Sequence, residues 1–153
     1  MARSAPKRLS ILDASFLTME SRDTPMHVGA LQIFSLPKNA PADFIKSIVQ
    51  RYRAPSALGK PWNLKLADVP FSRLSPATEI ASDVDFHYHV RHSALPDPGG
   101  ERELGELISH LHSQPLDRSR PLWTCHIIEG LHDNRFAIYI KIHHALTDAH
   151  RRR

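Results

Sequence analysis

The stretch Phe136-Ala-Ile-Tyr-Ile-Lys-Ile-His143 alternates large apolar side chains with a more varied set, and it runs directly into His144-Ala-Leu-Thr-Asp148. Successive side chains of a β-strand point to opposite faces of a sheet, so this period of two predicts a strand with Phe136 and every second residue after it on one face. The strand ends in two consecutive histidines, and an aspartate follows shortly after them. One segment therefore predicts both a core strand and a candidate chemical site.

The preceding residues predict the strands that pair with it. Residues 122–129 and 136–143, separated by turn-forming residues at 130–134, predict a hairpin. A dense apolar run over 26–36, ended by Pro37, predicts a buried strand. The alternation from Phe86 to Val90 predicts a half-buried strand.

Two helices are predicted from apolar residues at spacings of three and four. They run over 41–53 and 101–113, and Pro115 ends the second. The proline-rich connection over 54–81 predicts a meander with one or two short strands. Helices interleaved with strands favour an α/β fold in which helices flank a mixed sheet.

Composition narrows the class of protein. The chain has 153 residues, 41% hydrophobic and 24% charged, which is the size and balance of one ordinary globular domain. Arg151, Arg152 and Arg153 account for most of the net charge of +4, so we expect no nucleic-acid partner. A single cysteine, Cys125, favours a reducing compartment, and we predict the cytoplasm. We identify no signal peptide and no apolar run of about 20 residues, so membrane association would be peripheral.

The two consecutive histidines admit more than one role. Strand alternation would point His143 and His144 in opposite directions, which disfavours a shared metal ion. One of them as a general base fits better, because imidazole titrates near neutral pH, while its neighbour and Asp148 shape the turn. Spacing alone leaves open that they are hydrogen-bonded structural histidines. We predict no metal site at His87, His89 and His92 either, and we interpret Cys125 as a packing residue.

Several segments of the chain resemble one known family in order and spacing. They are Leu9-Ser-Ile-Leu-Asp-Ala-Ser-Phe-Leu17, Thr24-Pro-Met-His-Val-Gly-Ala-Leu31, Tyr88-His-Val-Arg-His-Ser-Ala-Leu-Pro96, the run from Pro115 to Leu131 that contains Pro121-Leu-Trp123, and His143-His-Ala-Leu-Thr-Asp148. Together they resemble the bacterial wax ester synthase/diacylglycerol acyltransferase family. The resemblance implies the N-terminal half of a fold similar to chloramphenicol acetyltransferase.

The same resemblance implies a function. It is transfer of a long-chain acyl group from acyl-CoA, a co-substrate, to diacylglycerol or a fatty alcohol, with no bound cofactor. Carried over by position, His144 would be the general base, while His143 and Asp148 would orient the motif. Pro121, Leu122 and Trp123 would pack the wall beside it. We expect these water-insoluble substrates to bring the protein to an inner-membrane or lipid-inclusion surface.

The chain also departs from the family. Members are considerably longer, so we expect residues 1–148 to be a partial N-terminal acyltransferase domain, 149–153 an atypical basic tail, and the C-terminal half to be absent, which makes this a truncated form. Two alternatives stay open at this point. One is a non-catalytic acyl-CoA or lipid-binding fragment, or a half-enzyme that needs a partner, and the other is a condensation-domain-like acyltransferase that uses carrier-bound thioesters.

Overall fold

A computed structural model describes residues 5–54 and 58–147. In chain order the elements are β1 (Lys7–Arg8), α1 (Ile11–Met19), β2 (His27–Ser35), α2 (Phe44–Arg53), β3 (Leu64–Leu66), β4 (Ala77–Ile80), α3 (Phe86–His89), β5 (Val90–Ala94), α4 (Glu101–Ser113), β6 (Trp123–Leu131), β7 (Arg135–His143) and α5 (His144–Thr147). Among these residues, no helix is both long enough and apolar enough to cross a bilayer.

The main sheet has four strands in the order β2-β7-β6-β5. Strand β7 pairs antiparallel with β2 and β6, whereas β5 runs parallel to β6. The mixed sheet and the hairpin are therefore confirmed. A smaller sheet has the order β1-β4-β3; its strands β3 and β4 lie in the meander, where one or two short strands were predicted, and β1 lies near the N-terminus.

The period of two in β7 places its side chains in two different cores. Phe136 and Ile138 pack with Ile45 and Val49 of α2 on one face. On the other face, Ala137 and Tyr139 pack with Leu104 of α4 and its neighbouring leucines. Both helices present apolar side chains at helical spacing, so each covers one face of the sheet. The flanking helices are as predicted.

The sheet side chains also satisfy the C-terminal end of α4. The ammonium group of Lys141, only 3% exposed, donates to the carbonyls of Leu111 and Gln114, both at 2.6 Å. His27 Nε2 donates to the carbonyl of His112, also at 2.6 Å. The last carbonyls of a helix have no intrahelical partner, and cations near them interact favourably with the helix dipole. These contacts anchor α4 to the strands that carry the candidate site.

Three local predictions were wrong. The strand over 26–36 was predicted to be buried, but β2 is an edge strand paired with β7 alone in the main sheet of the described chain, and its residues after His27 are exposed. Residues 86–89 form the short helix α3 and the strand begins only at Val90, because Asp85 caps the Tyr88 N–H and His89 turns inward to bond the carbonyl of Trp123 at 2.7 Å. Helix α2 begins at Phe44, three positions after the predicted start at Pro41. At residues 86–89 a capping contact and a tertiary contact therefore override the alternating pattern, whereas the N-cap residue of α2, Asp43, makes no side-chain capping hydrogen bond.

Buried histidines predict an acid-sensitive fold. Burial lowers the pKa of His27 and of His126 to about 4. Between about pH 6.5 and 4 the unfolded chain therefore binds protons that the folded chain does not, and each such histidine lowers the free energy of unfolding by about 1.4 kcal/mol per pH unit as the pH falls.

Urea unfolding of the chain at several values between pH 7 and 4.5 measures this slope. We expect His126→Gln to reduce this slope by about 1.4 kcal/mol per pH unit, which is the contribution of one proton. His110→Gln, on the exposed side of α4, is the matched control. An unfolding free energy that does not change over this range would contradict the prediction.

Candidate active site

Helix α1 is built to end beside the predicted site. The Ser10 hydroxyl oxygen accepts the Asp13 N–H at 3.1 Å, and such an N-cap fixes where a helix begins. The helix packs against α5, which carries the end of the histidine motif. Near its C-terminal end it presents Phe16, Leu17 and Glu20 toward residues 143–146. The first helix and the last described helix therefore meet at the site.

His143 is the last residue of β7 and its side chain is fully buried. Its Nδ1 accepts the N–H of Ala145 at 3.1 Å. Its Nε2 lies 3.3 Å from Oε1 of Glu20, an electrostatic contact too poorly aligned for a full hydrogen bond. Burial lowers the pKa of His143, although the nearby carboxylate opposes that shift. His143 is therefore a neutral residue that holds the turn.

His144 begins α5, so the strand alternation used in the prediction ends at His143. Its ring stacks on Phe16 with the centroids 4.6 Å apart and an interplanar angle of 15°. Its backbone N–H donates to the carbonyl of Met26 at 2.9 Å. The residue is half-buried. An imidazole with one covered face and partial exposure can exchange a proton with a molecule that reaches its open side.

Glu20 and Arg118 form an ion pair behind the histidines. Oε2 of Glu20 lies 2.9 Å from Nη2 of Arg118, and the same nitrogen donates to the carbonyl of Leu17 at 2.7 Å. Oε1 of Glu20 accepts the N–H of Met26 at 3.1 Å. Although burial opposes it, hydrogen bonds from Arg118 and Met26 hold the pKa of Glu20 below its usual value. The carboxylate is therefore charged at neutral pH.

Leu122 packs beside the turn, as predicted, whereas Trp123 lies in the core under α2. The Leu122 carbonyl accepts the N–H of His143 at 2.9 Å, and its fully buried side chain packs with Ala145 and Leu146. Trp123 stacks on His89 with the centroids 4.4 Å apart. Cys125 is buried, and burial raises the pKa of its thiol to about 11, consistent with a packing residue.

Of the three predicted site residues, the structure describes His143 and His144, both at the turn. Asp148 lies outside the described residues. His89 is buried against Trp123, and His92 lies 3.0 Å from Glu129 on β5 and β6. Within residues 5–54 and 58–147, no three histidine, cysteine or acidic side chains are grouped so that they could hold a metal ion.

Sequence reasoning did not identify Phe16, Glu20 or Arg118 as site residues. All three lie in or next to segments that carry the family resemblance, but their partners are far away along the chain. The Glu20 and Arg118 contact alone spans 98 positions. No local periodicity encodes such a contact.

Two solved structures share the fold of this chain. The first condensation domain of the calcium-dependent antibiotic synthetase has a TM-score of 0.67 at 16% identity, over 92% of this chain and 34% of that one, and shares the fold alone. The wax ester synthase/diacylglycerol acyltransferase from Marinobacter aquaeolei VT8 has a TM-score of 0.85 at 40% identity, covering 93% of this chain and 34% of that one.

Sequence comparison identifies the family. The profile of the wax ester synthase/diacylglycerol acyltransferase catalytic domain matches residues 9–151, so the chain belongs to this family. A putative diacylglycerol O-acyltransferase of Mycobacterium tuberculosis is 50% identical over 145 residues, 92% of this chain and 31% of that protein. The O-acyltransferase WSD of Acinetobacter baylyi is 46% identical over 138 residues, 90% of this chain and 29% of that protein. The chain spans about a third of the length of these relatives.

The packing of Leu122 against the turn gives a testable consequence. We expect Leu122→Ala to lower the free energy of unfolding by about 2–5 kcal/mol, because it removes buried methyl groups and leaves a cavity. Leu74→Ala, at a side chain that is 86% exposed, makes the same chemical change and should cost less than about 0.5 kcal/mol. Chemical denaturation measures both values. Equal effects of the two variants would contradict the packing role.

Proposed function

We propose that this chain is an O-acyltransferase domain that transfers a long-chain acyl group from acyl-CoA to the hydroxyl of diacylglycerol or of a fatty alcohol. The observation that carries the proposal is the half-buried His144, which is held at the end of β7 with one ring face against Phe16. The family membership and the names of its relatives support this reaction class.

In the proposed reaction His144 acts as the general base. It takes the proton of the acceptor hydroxyl as the oxygen attacks the thioester carbonyl and forms a tetrahedral intermediate. That intermediate collapses with cleavage of the carbon–sulfur bond, and the protonated imidazole returns the proton to the departing CoA thiolate. The product is an ester, and neither a metal nor a covalent acyl-enzyme is needed for this balance.

The neighbouring residues have positioning roles in this proposal. His143 accepts the Ala145 N–H and so holds the turn from which His144 projects, and Asp148 orients the end of the motif. Residues 1–148 act as a partial N-terminal domain, 149–153 form a basic tail, and the relatives' remaining length corresponds to a second half. The protein acts in the cytoplasm and meets its water-insoluble acceptors at a membrane or lipid-inclusion surface.

The test is release of free thiol from palmitoyl-CoA by the folded chain, with and without diacylglycerol or hexadecanol. We expect acceptor-dependent release, and we expect His144→Ala to reduce its rate about 10²- to 10⁴-fold, which is the usual contribution of a positioned general base. His110→Ala, on the exposed side of α4, is the matched control and should retain the rate.

If the folded chain releases no thiol with either acceptor, this result would contradict the proposal that the chain transfers acyl groups by itself. Release that continues unchanged in His144→Ala would contradict the assigned base. Tight binding of palmitoyl-CoA without turnover, equal in both proteins, would favour an acyl-CoA-binding role. Turnover with an acyl-carrier-protein thioester but not with acyl-CoA would favour the condensation-domain reaction.

A further inference from the structure

We propose that Glu20 is a positioning residue whose carboxylate, held by Arg118, fixes the His143 ring in the tautomer protonated at Nε2 and thereby maintains the turn that carries His144. The statement about His143 is independent of acyl transfer. Its consequence for catalysis rests on the function proposed above.

Nδ1 of His143 faces a backbone donor. This atom lies 3.1 Å from the backbone nitrogen of Ala145, whose N–H is a donor, so Nδ1 must accept. A neutral imidazole carries a proton on only one of its nitrogens. The single ring proton of His143 is therefore on Nε2.

Nε2 of His143 faces the carboxylate of Glu20. The ring is fully buried, and Oε1 of Glu20 lies 3.3 Å from Nε2. A protonated Nε2 faces this negative charge favourably. The other tautomer would set the Nε2 lone pair against the carboxylate and Nδ1–H against the Ala145 N–H. A buried polar group left in such a mismatch is destabilised, so both ring nitrogens favour the same tautomer.

Arg118 and the backbone of Met26 hold the Glu20 carboxylate in place. Arg118 binds Oε2 of Glu20 and also the carbonyl of Leu17, which ties the charge to α1. The Met26 N–H binds Oε1, while the Met26 carbonyl accepts the backbone N–H of His144. Met26, which precedes β2, therefore bonds to Glu20 through its N–H and to the turn through its carbonyl. Removing both side-chain oxygens of Glu20 should loosen both contacts.

A purely structural role for Glu20 makes a different prediction. If the ion pair only tied α1 to the loop that contains Arg118, removing it would lower stability without changing the state of the His143 ring. The position of the ring proton is the readout that separates the two roles, because interactions at each nitrogen determine it.

The experiment measures long-range proton–nitrogen correlations of the histidine rings and amide exchange at Ala145 in the full ¹⁵N-labelled chain. The proteins are the wild type, Glu20→Met, Glu20→Gln and Arg118→Met. Glu106→Met breaks the exposed Arg102–Glu106 pair and is the matched control. No substrate is present.

We expect His143 to carry its proton on Nε2 in the wild type. In Glu20→Met the population should shift toward Nδ1–H, and exchange of the Ala145 amide should accelerate about tenfold, the value of one lost hydrogen bond. Glu20→Gln should keep the wild-type tautomer because its amide oxygen still places a partial negative charge beside Nε2 and can accept the Met26 N–H. Arg118→Met should shift it partly, and Glu106→Met should not change it.

A wild-type proton on Nδ1 would overturn the proposal, as would an unchanged tautomer and unchanged Ala145 exchange in folded Glu20→Met. If Glu20→Met does not fold, the wild-type tautomer and the response of Arg118→Met decide the question. A chain with the expected tautomer that releases no thiol supports this inference while it contradicts the proposed function. A chain that releases thiol but carries the His143 proton on Nδ1 contradicts this inference while it supports the proposed function.

Discussion

The hydrogen-bond ladders along both edges of β7 fix the backbone register from Arg135 to His143 and therefore the face on which each side chain lies. A strand paired on both sides cannot shift its register by one residue without moving its apolar side chains to the wrong face. In this protein the two faces of β7 belong to different cores, one under α2 and one under α4. The end of the strand is consequently a fixed point, and the two histidines project from it.

Helix α1, near the start of the described chain, and the residue that follows it contact the two histidines at the end of β7. It supplies a flat aromatic surface for one histidine and leads into the charged Glu20 beside the other. Neither contact is formed by the sheet itself, which holds His143 only through its backbone. The sheet therefore determines where the turn lies, and the segment around α1 determines how its side chains are held. The surrounding buried histidines stay neutral because the same packing excludes water from them.

Periodicity predicted the parts of the fold in which local pattern and tertiary environment agree. Helix α4 was predicted with both of its ends, and β6 and β7 to within a few residues, because each presents an apolar face with a regular period. The bounds of β2 were predicted to within one residue at each end, but its expected burial was not found, because it is an edge strand whose residues after His27 are exposed. The strand predicted at Phe86 failed because the packing of His89 on Trp123 is not encoded locally. The histidine pair was identifiable because polar residues end an apolar strand. Glu20 was not, since its role depends on residues about a hundred positions away.

The pairing of β2 with β7 joins residues 27–35 to residues 135–143. Contacts between such distant parts of a chain are slow to form, because a long loop must close before any interaction compensates for the lost entropy. During synthesis the N-terminal residues emerge first, so β2 and α1 must wait for nearly all of the described chain before they meet their partners. The site can therefore form only after synthesis has passed the turn that follows β7, and every shorter nascent chain lacks it.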